Sequence, residues 1–201
     1  MSLVIDYYLA PQSPWTYFGQ ARLVQMAKQA GATVRIMPVD LGGQIFPATG
    51  GLPVGQRSPQ RQAYRLVELQ RFSHFLQMPF NLKPKFFPVA GDDAARLIIA
   101  VDQHDGLDAA VKVCGAVLAA VWVQERDIAD ASVLQAILKE QGVAADRWEA
   151  AKAPAAQDAY MAYTRQAMDA GVFGAPSYVV DGEIFWGQDR LDFLQRRLQA
   201  A

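Results

Sequence analysis

The stretch "APSYVVDGEIFWG", residues 175–187, holds two short apolar-rich runs around Asp181-Gly182. An Asp-Gly pair between such runs predicts a β-hairpin with a type I′ turn, since both central residues must take positive φ. The next residues, "QDRLDFLQRRLQA", space Leu191, Phe193, Leu194 and Leu198 for an amphipathic helix. The chain therefore closes as β-β-α.

It opens in a complementary way. "SLVIDYYL", residues 2–9, is rich in β-branched and aromatic residues and predicts a strand. From Pro14 to about Ala30 the residues Trp15, Phe18, Leu23, Val24 and Ala27 follow a helical period, and Gly31 is a stop signal. "TVRIMPVDL", residues 33–41, reads as a second strand. A helix of this length can cross over between parallel strands, so the opening is β-α-β.

Everything between these halves reads as loop and helix. "GGQIFPATGGLPVGQRSP", residues 42–59, is dense in Gly and Pro and predicts a long loop, with Phe46, Gln56 and Arg57 among its few large side chains. It has no Gly-Lys-Ser/Thr sequence of a phosphate cradle. Ser58 and Pro59 begin a helix that runs to about Leu76. "MPFNLKPKFFPV" is a second loop, and helices are expected at 92–105, 108–126, 130–141, 146–152 and 155–170. The expectation is an α/β chain with a thioredoxin-like fold. Residues 1–41 and 173–201 would form a discontinuous thioredoxin-like domain, and 42–172 a loop plus an α-helical insertion domain.

Composition narrows the function. Of the 201 residues 52% are hydrophobic and 19% charged, which suits a packed globular protein. A net charge of -1 offers no bulk attraction to nucleic acid or anionic membrane. No apolar run is long enough to span a bilayer, and Asp6 interrupts any signal-like run, so the protein reads as cytoplasmic. The single cysteine, Cys114, lies in an apolar helical run and excludes an intramolecular disulfide. His74 and His104 lack metal-ligand spacing, so no metal site is expected.

In a thioredoxin-like layout the site lies where the first strand meets the first helix. Unpaired amides and the helix dipole there favour a thiolate. Redox members carry Cys-x-x-C at this place, whereas here Ser13 and Thr16 hold the two positions. Without either sulfur the chain cannot run dithiol chemistry itself. "GAPSYVV" puts Pro176 where the fold carries a cis-proline opposite the site. Ser13 followed by Pro14 is equally an ordinary helix N-cap, a role compatible with binding a thiol.

"SPWTYFG", "PVDLGGQIFPATG" and "GVFGAPSYVVDGEIFWGQDRLDFL" together resemble the 2-hydroxychromene-2-carboxylate isomerases. These are DsbA-like members of the thioredoxin fold related to kappa-class glutathione transferases. The resemblance covers essentially the whole chain. It implies a glutathione-dependent cis-trans isomerase that yields trans-o-hydroxybenzylidenepyruvate, or handles a related acid of naphthalene and other aromatic catabolism. The family's catalytic serine falls on Ser13, which would hold the glutathione sulfur as thiolate while that sulfur adds reversibly to the substrate. Glutathione would also meet the main chain of Ala175 beside Pro176. The loop of Trp186, Gly187, Gln188 and Asp189 would take its γ-glutamyl end.

The resemblance further implies that Gln56 and Arg57 contact the acidic substrate, with Phe46 and Phe87 as aromatic walls. A small aromatic carboxylate is the implied partner, and a homodimer the implied assembly. Two positions depart from the family pattern. Gly51 stands where relatives often have asparagine, and Phe46 where a lysine lies near the substrate. Two other readings stay open: a kappa-like glutathione S-transferase that conjugates electrophiles, and a non-catalytic glutathione- or peptide-binding protein.

Overall fold

The computed structural model describes residues 3–200. Strand β1 (Val4–Leu9) leads into helix α1 (Pro14–Ala30) and strand β2 (Thr33–Pro38). β1 and β2 pair in parallel from Val4 opposite Thr33 to Leu9 opposite Pro38, as the β-α-β reading requires. Strands β3 (Ser177–Val180) and β4 (Glu183–Trp186) return at the far end of the chain. β3 runs antiparallel to β1, and the four-stranded sheet has the order β2-β1-β3-β4. The hairpin turn has φ 49 at Asp181 and φ 82 at Gly182, the two positive values of a type I′ turn. Helix α9 (Leu191–Gln199) closes the chain.

Between β2 and β3 lie α2 (Phe46–Thr49), α3 (Pro59–Leu76), α4 (Asp92–Asp105), α5 (Leu107–Trp122), α6 (Ala131–Glu140), α7 (Arg147–Lys152) and α8 (Pro154–Asp169). None of the described helices is long and apolar enough to cross a membrane. The expected loop after residue 41 is only partly irregular. Leu41–Ile45 forms a wide helical turn, α2 follows, and Val54–Gln56 makes one 3₁₀ turn. The Asp40 carboxylate accepts from Gly43 N at 2.7 Å, while Asp40 N donates to Thr164 Oγ1 of α8 at 3.0 Å. α5 ends earlier than its apolar run suggests. Glu125 turns left-handed (φ 54), and Arg126 N folds back to Ala120 O at 2.8 Å.

The sheet is buried on both faces, and the alternation of β1 divides its side chains between them. Ile5, Tyr7 and Leu9 join Leu23 of α1, Leu97 and Ile98 of α4, Val117 and Val121 of α5, and Leu191 and Leu194 of α9. Tyr8 points the other way, with Met37, Val39, Ile45, Val172 and Val179. The inserted helices α4 and α5 therefore share one core with the β-α-β and β-β-α halves. Continuous packing of this kind fixes the loops at the end of the sheet, where the candidate site lies.

Candidate active site

The turn before α1 is built by short-range bonds. Ser13 N donates to Ala10 O at 2.9 Å, and Pro14 starts the helix where no amide is needed. The Ser13 Oγ accepts from Thr16 N at 3.3 Å, so the N-cap reading holds. The hydroxyl also reaches across to Ala175 O at 3.5 Å, a long contact that leaves its proton free to be redirected. Ala175-Pro176 is cis. Ala175 precedes the first strand-paired residue, Ser177, so its main chain lies outside the ladder. Gly187 N donates to Pro176 O at 2.9 Å and draws the third loop in. Ser13, Ala175, Pro176 and Gly187 are thus brought together from both ends of the chain. In the same turn the Gln12 Oε1 and Thr16 Oγ1 atoms are buried and find no hydrogen-bond partner among the described residues.

The loop 186–190 divides its side chains between surface and interior. Trp186 is half exposed and stands edge-on to the exposed ring of Phe173 at 4.7 Å, so it is not a core residue. The exposed Asp189 carboxylate pairs with Arg190 at 2.6 Å. It does not cap α9, whose N-cap position is Arg190 with no side-chain cap bond. Gln188 turns inward. Its Oε1 accepts from Arg22 Nη1 at 3.0 Å, and its Cβ lies against Gly19 of α1. The same guanidinium donates to Gln188 O at 3.3 Å and pairs with Asp192 at 3.4 Å. Arg22 therefore pins this loop to α1, and Gln188 supports the loop from behind. The sequence alone does not mark Arg22 or Phe173 as a site residue. Arg22 looks like any helical surface cation until the fold brings residue 188 against it.

A second group surrounds α3. Phe46 is half-buried, and a Cβ at Gly51 would run into its ring. Phe46 and Gly51 are therefore one structural unit: the aromatic ring fills the space that a side chain at 51 would need. Gly51→Ala is expected to destabilise the protein less in a Phe46→Ala background than in the wild type. The coupling should lie within the roughly 0.5–3 kcal/mol seen for residues in contact. Urea unfolding of the four proteins checks this, and additive effects would show the two positions to be independent.

Gln56 is exposed, and the Arg57 Nε donates to Leu52 O at 2.9 Å. Gln62 Nε2 donates to Arg57 O at 2.7 Å, tying that loop to the first turn of α3. Burial, and then the Arg61 charge, push the Arg57 guanidinium below its ordinary value. Phe87 packs on Trp122 with centroids 4.8 Å apart, and Arg65 lies 5.2 Å over its ring. Two contacts bring this group beside the Ser13 turn. Trp15 of α1 stands edge-on to Phe72 of α3 at 5.8 Å, and the Gln12 amide lies against Gly91, four residues beyond Phe87.

Cys114 is fully buried on α5, and burial pushes its thiol well up. It is the chain's only sulfhydryl, so the chain has no cysteine to form a redox pair.

Comparison with known proteins agrees with this layout. Residues 4–199 match the family model described as DSBA-like thioredoxin domain. A 2-hydroxychromene-2-carboxylate isomerase from Sphingobium xenophagum is 30% identical over 199 residues, covering 98% of this chain and 99% of the relative. The enzyme of the same name from Pseudomonas putida is 29% identical over 202 residues, with 96% and 93% covered. Among solved structures, a 2-hydroxychromene-2-carboxylate isomerase superposes with a TM-score of 0.77 at 24% identity, covering 98% of this chain and 95% of that one. The cytosolic disulfide reductase DsbM from Pseudomonas aeruginosa shares the fold, with a TM-score of 0.70, 21% identity, and 99% and 100% covered. With a whole-length match to that domain and a relative 30% identical end to end, the chain belongs to the DSBA-like thioredoxin family, in the branch of the 2-hydroxychromene-2-carboxylate isomerases.

Proposed function

We propose that the protein is a glutathione-dependent cis-trans isomerase acting on 2-hydroxychromene-2-carboxylate or a related aromatic-catabolism acid. One observation carries the reading: Ser13 Oγ sits at the N-terminus of α1, facing Ala175 O beside cis-Pro176, in a site that has no sulfur of its own. The residues fit glutathione. The turn holds buried polar atoms at Gln12 and Thr16 that have no partner among the described residues, the Ala175 main chain is free of the ladder, and Asp189 offers an exposed carboxylate. When bound, glutathione would supply a thiolate nucleophile able to add reversibly to an unsaturated carbon of the acid.

The chain's own residues prepare that chemistry. Ser13 would donate a hydrogen bond from its hydroxyl to the sulfur and, with the N-terminal dipole of α1, favour the ionised form. Ala175 offers main-chain groups to the cysteinyl part in a strand-like contact. Asp189 takes the γ-glutamyl ammonium, on a loop that Arg22 and Gln188 hold in place. Arg57, exposed Gln56 and the rings of Phe46 and Phe87 receive the acid.

The test follows absorbance of 2-hydroxychromene-2-carboxylate with and without glutathione, with free thiol measured alongside. Turnover that needs glutathione and leaves free thiol constant is expected. Thiol loss in step with the acid would instead mark conjugation by a kappa-like transferase, and turnover without glutathione would remove the cofactor from the proposal.

A further inference from the structure

Arg65 has an environment that its helix does not explain. Apart from Arg57, the partly buried arginines elsewhere meet acids: Arg22 pairs with Asp192 at 3.4 Å, Arg96 with Asp93, Arg126 with Glu140 at 2.9 Å, Arg147 with Asp105 at 2.7 Å and Arg197 with Asp181 at 2.7 Å. Arg65 is half-buried, and among the described residues it has no carboxylate and no hydrogen-bond acceptor. Its guanidinium lies over two rings, 5.2 Å from the centroid of Phe87 and 5.9 Å from that of Trp122. Trp122 is fully buried and stacks on Phe80 at 4.9 Å, so this aromatic floor is rigid. The charge that acts on Arg65 is another cation, Arg57. Burial first, and then Arg57, push the Arg65 guanidinium down to about 10.

Two cations in one half-buried place, without an anion, form an arrangement that an incoming carboxylate stabilises. A buried charge is costly unless it is paired. A guanidinium resting on rings has its edge free, and that edge matches a carboxylate bidentately. Of the two rings, half-buried Phe87 is the one open to a flat ring system in the same ligand. The site is also close to the chemistry. From Phe87 the chain needs four residues to reach Gly91, no more than about 14 Å even when extended, and Gly91 touches Gln12 beside Ser13.

We propose that Arg65, over Phe87 and Trp122 and assisted by Arg57, is the carboxylate anchor that selects flat aromatic oxo acids at this site. The role deepens the isomerase reading and rests on it for the identity of the acid. Arg65 binds and orients the acid and takes no proton from it.

The test is calorimetry with benzylidenepyruvate and with its methyl ester, in the absence of glutathione. The proteins are wild type, Arg65→Gln and Arg65→Lys, each checked for folding by circular dichroism. Wild type should bind the acid about 10–100-fold more tightly than the ester, as loss of a charged hydrogen-bonded contact implies. Folded Arg65→Gln should lose that preference, Arg65→Lys should keep part of it, and ester affinity should be the same in all three. Equal binding of acid and ester by wild type, or no binding of the acid at all, overturns the proposal. So does an undiminished preference in either folded variant. Because neither glutathione nor turnover enters the assay, failure of the isomerase reading would leave this result readable by itself.

Discussion

Ser13→Ala is expected to lower kcat/KM about 100–1,000-fold at neutral pH, the range for removing one preorganised donor from a developing or held anion. The hydroxyl now accepts from Thr16 N and faces Ala175 O at 3.5 Å, too long to compete well for its proton. A thiolate placed there would take that proton as a short charged bond. A bond made only to the ionised sulfur lowers the thiol pKa, so removing it raises the pKa. The activity curve of Ser13→Ala should therefore move to higher pH, with the deficit shrinking as alkaline buffer ionises the thiol. The α1 dipole remains and should preserve part of the thiolate. Loss of the cap costs about 1 kcal/mol, so the variant should fold. Thiolate absorbance of bound glutathione against pH, with turnover on the same samples, checks both points. Two unchanged curves would leave Ser13 as a helix cap only. In the opposite direction, Ser13→Cys given oxidised glutathione should exchange to a mixed disulfide and release one glutathione thiolate if residue 13 lies beside the borrowed sulfur.

The parts of this fold that were readable are those with strong local chemistry. α1 runs from Pro14 to Ala30 as its period and its Ser13-Pro14 start require, and Asp181-Gly182 makes the expected turn. The misses occur where a few residues decide the outcome. The segment 42–58 is rich in Gly and Pro, yet it holds a wide turn, a four-residue helix and a 3₁₀ turn. Elements this short give no periodic signal, and the capping bond from Asp40 to Gly43 cannot be told from a loop contact. Asp189 has the residue type of an N-cap, but a 3₁₀ turn over Gln188–Arg190 moves the start of α9 beyond it.

Site residues divide in the same way. Ser13, Ala175 and Pro176 lie in motifs, and the fold joins them. Arg22 and Arg65 lie on helices where arginine is ordinarily a solvated residue, and only tertiary packing gives them their surroundings. Gln188 sits inside a motif but faces inward, because the turn that exposes Asp189 buries its neighbour. A motif identifies a segment, whereas the backbone within it decides which side chain faces a ligand.

That decision sets the remaining large effect, at Asp189. Asp189→Ala should weaken glutathione binding about 10–100-fold, since a hydrogen bond to a charged group is worth roughly 1.5–3 kcal/mol and tenfold corresponds to about 1.4. Its pair with Arg190 is half exposed on both sides, so the loss should change stability by no more than about 1 kcal/mol. Gly187 provides an independent route to the same carboxylate. Its φ of 98 is one that side chains rarely adopt, and an added Cβ would point at Asp189 Oδ1. Gly187→Ala should therefore displace Asp189 and weaken glutathione comparably while leaving residue 189 intact. Calorimetry with glutathione and with its analogue lacking the γ-glutamyl amino group separates the causes. The analogue should bind wild type and Asp189→Ala equally, because the ammonium that Asp189 recognises is gone. If Asp189→Ala weakens both ligands alike, the carboxylate shapes the loop and the γ-glutamyl end is held elsewhere.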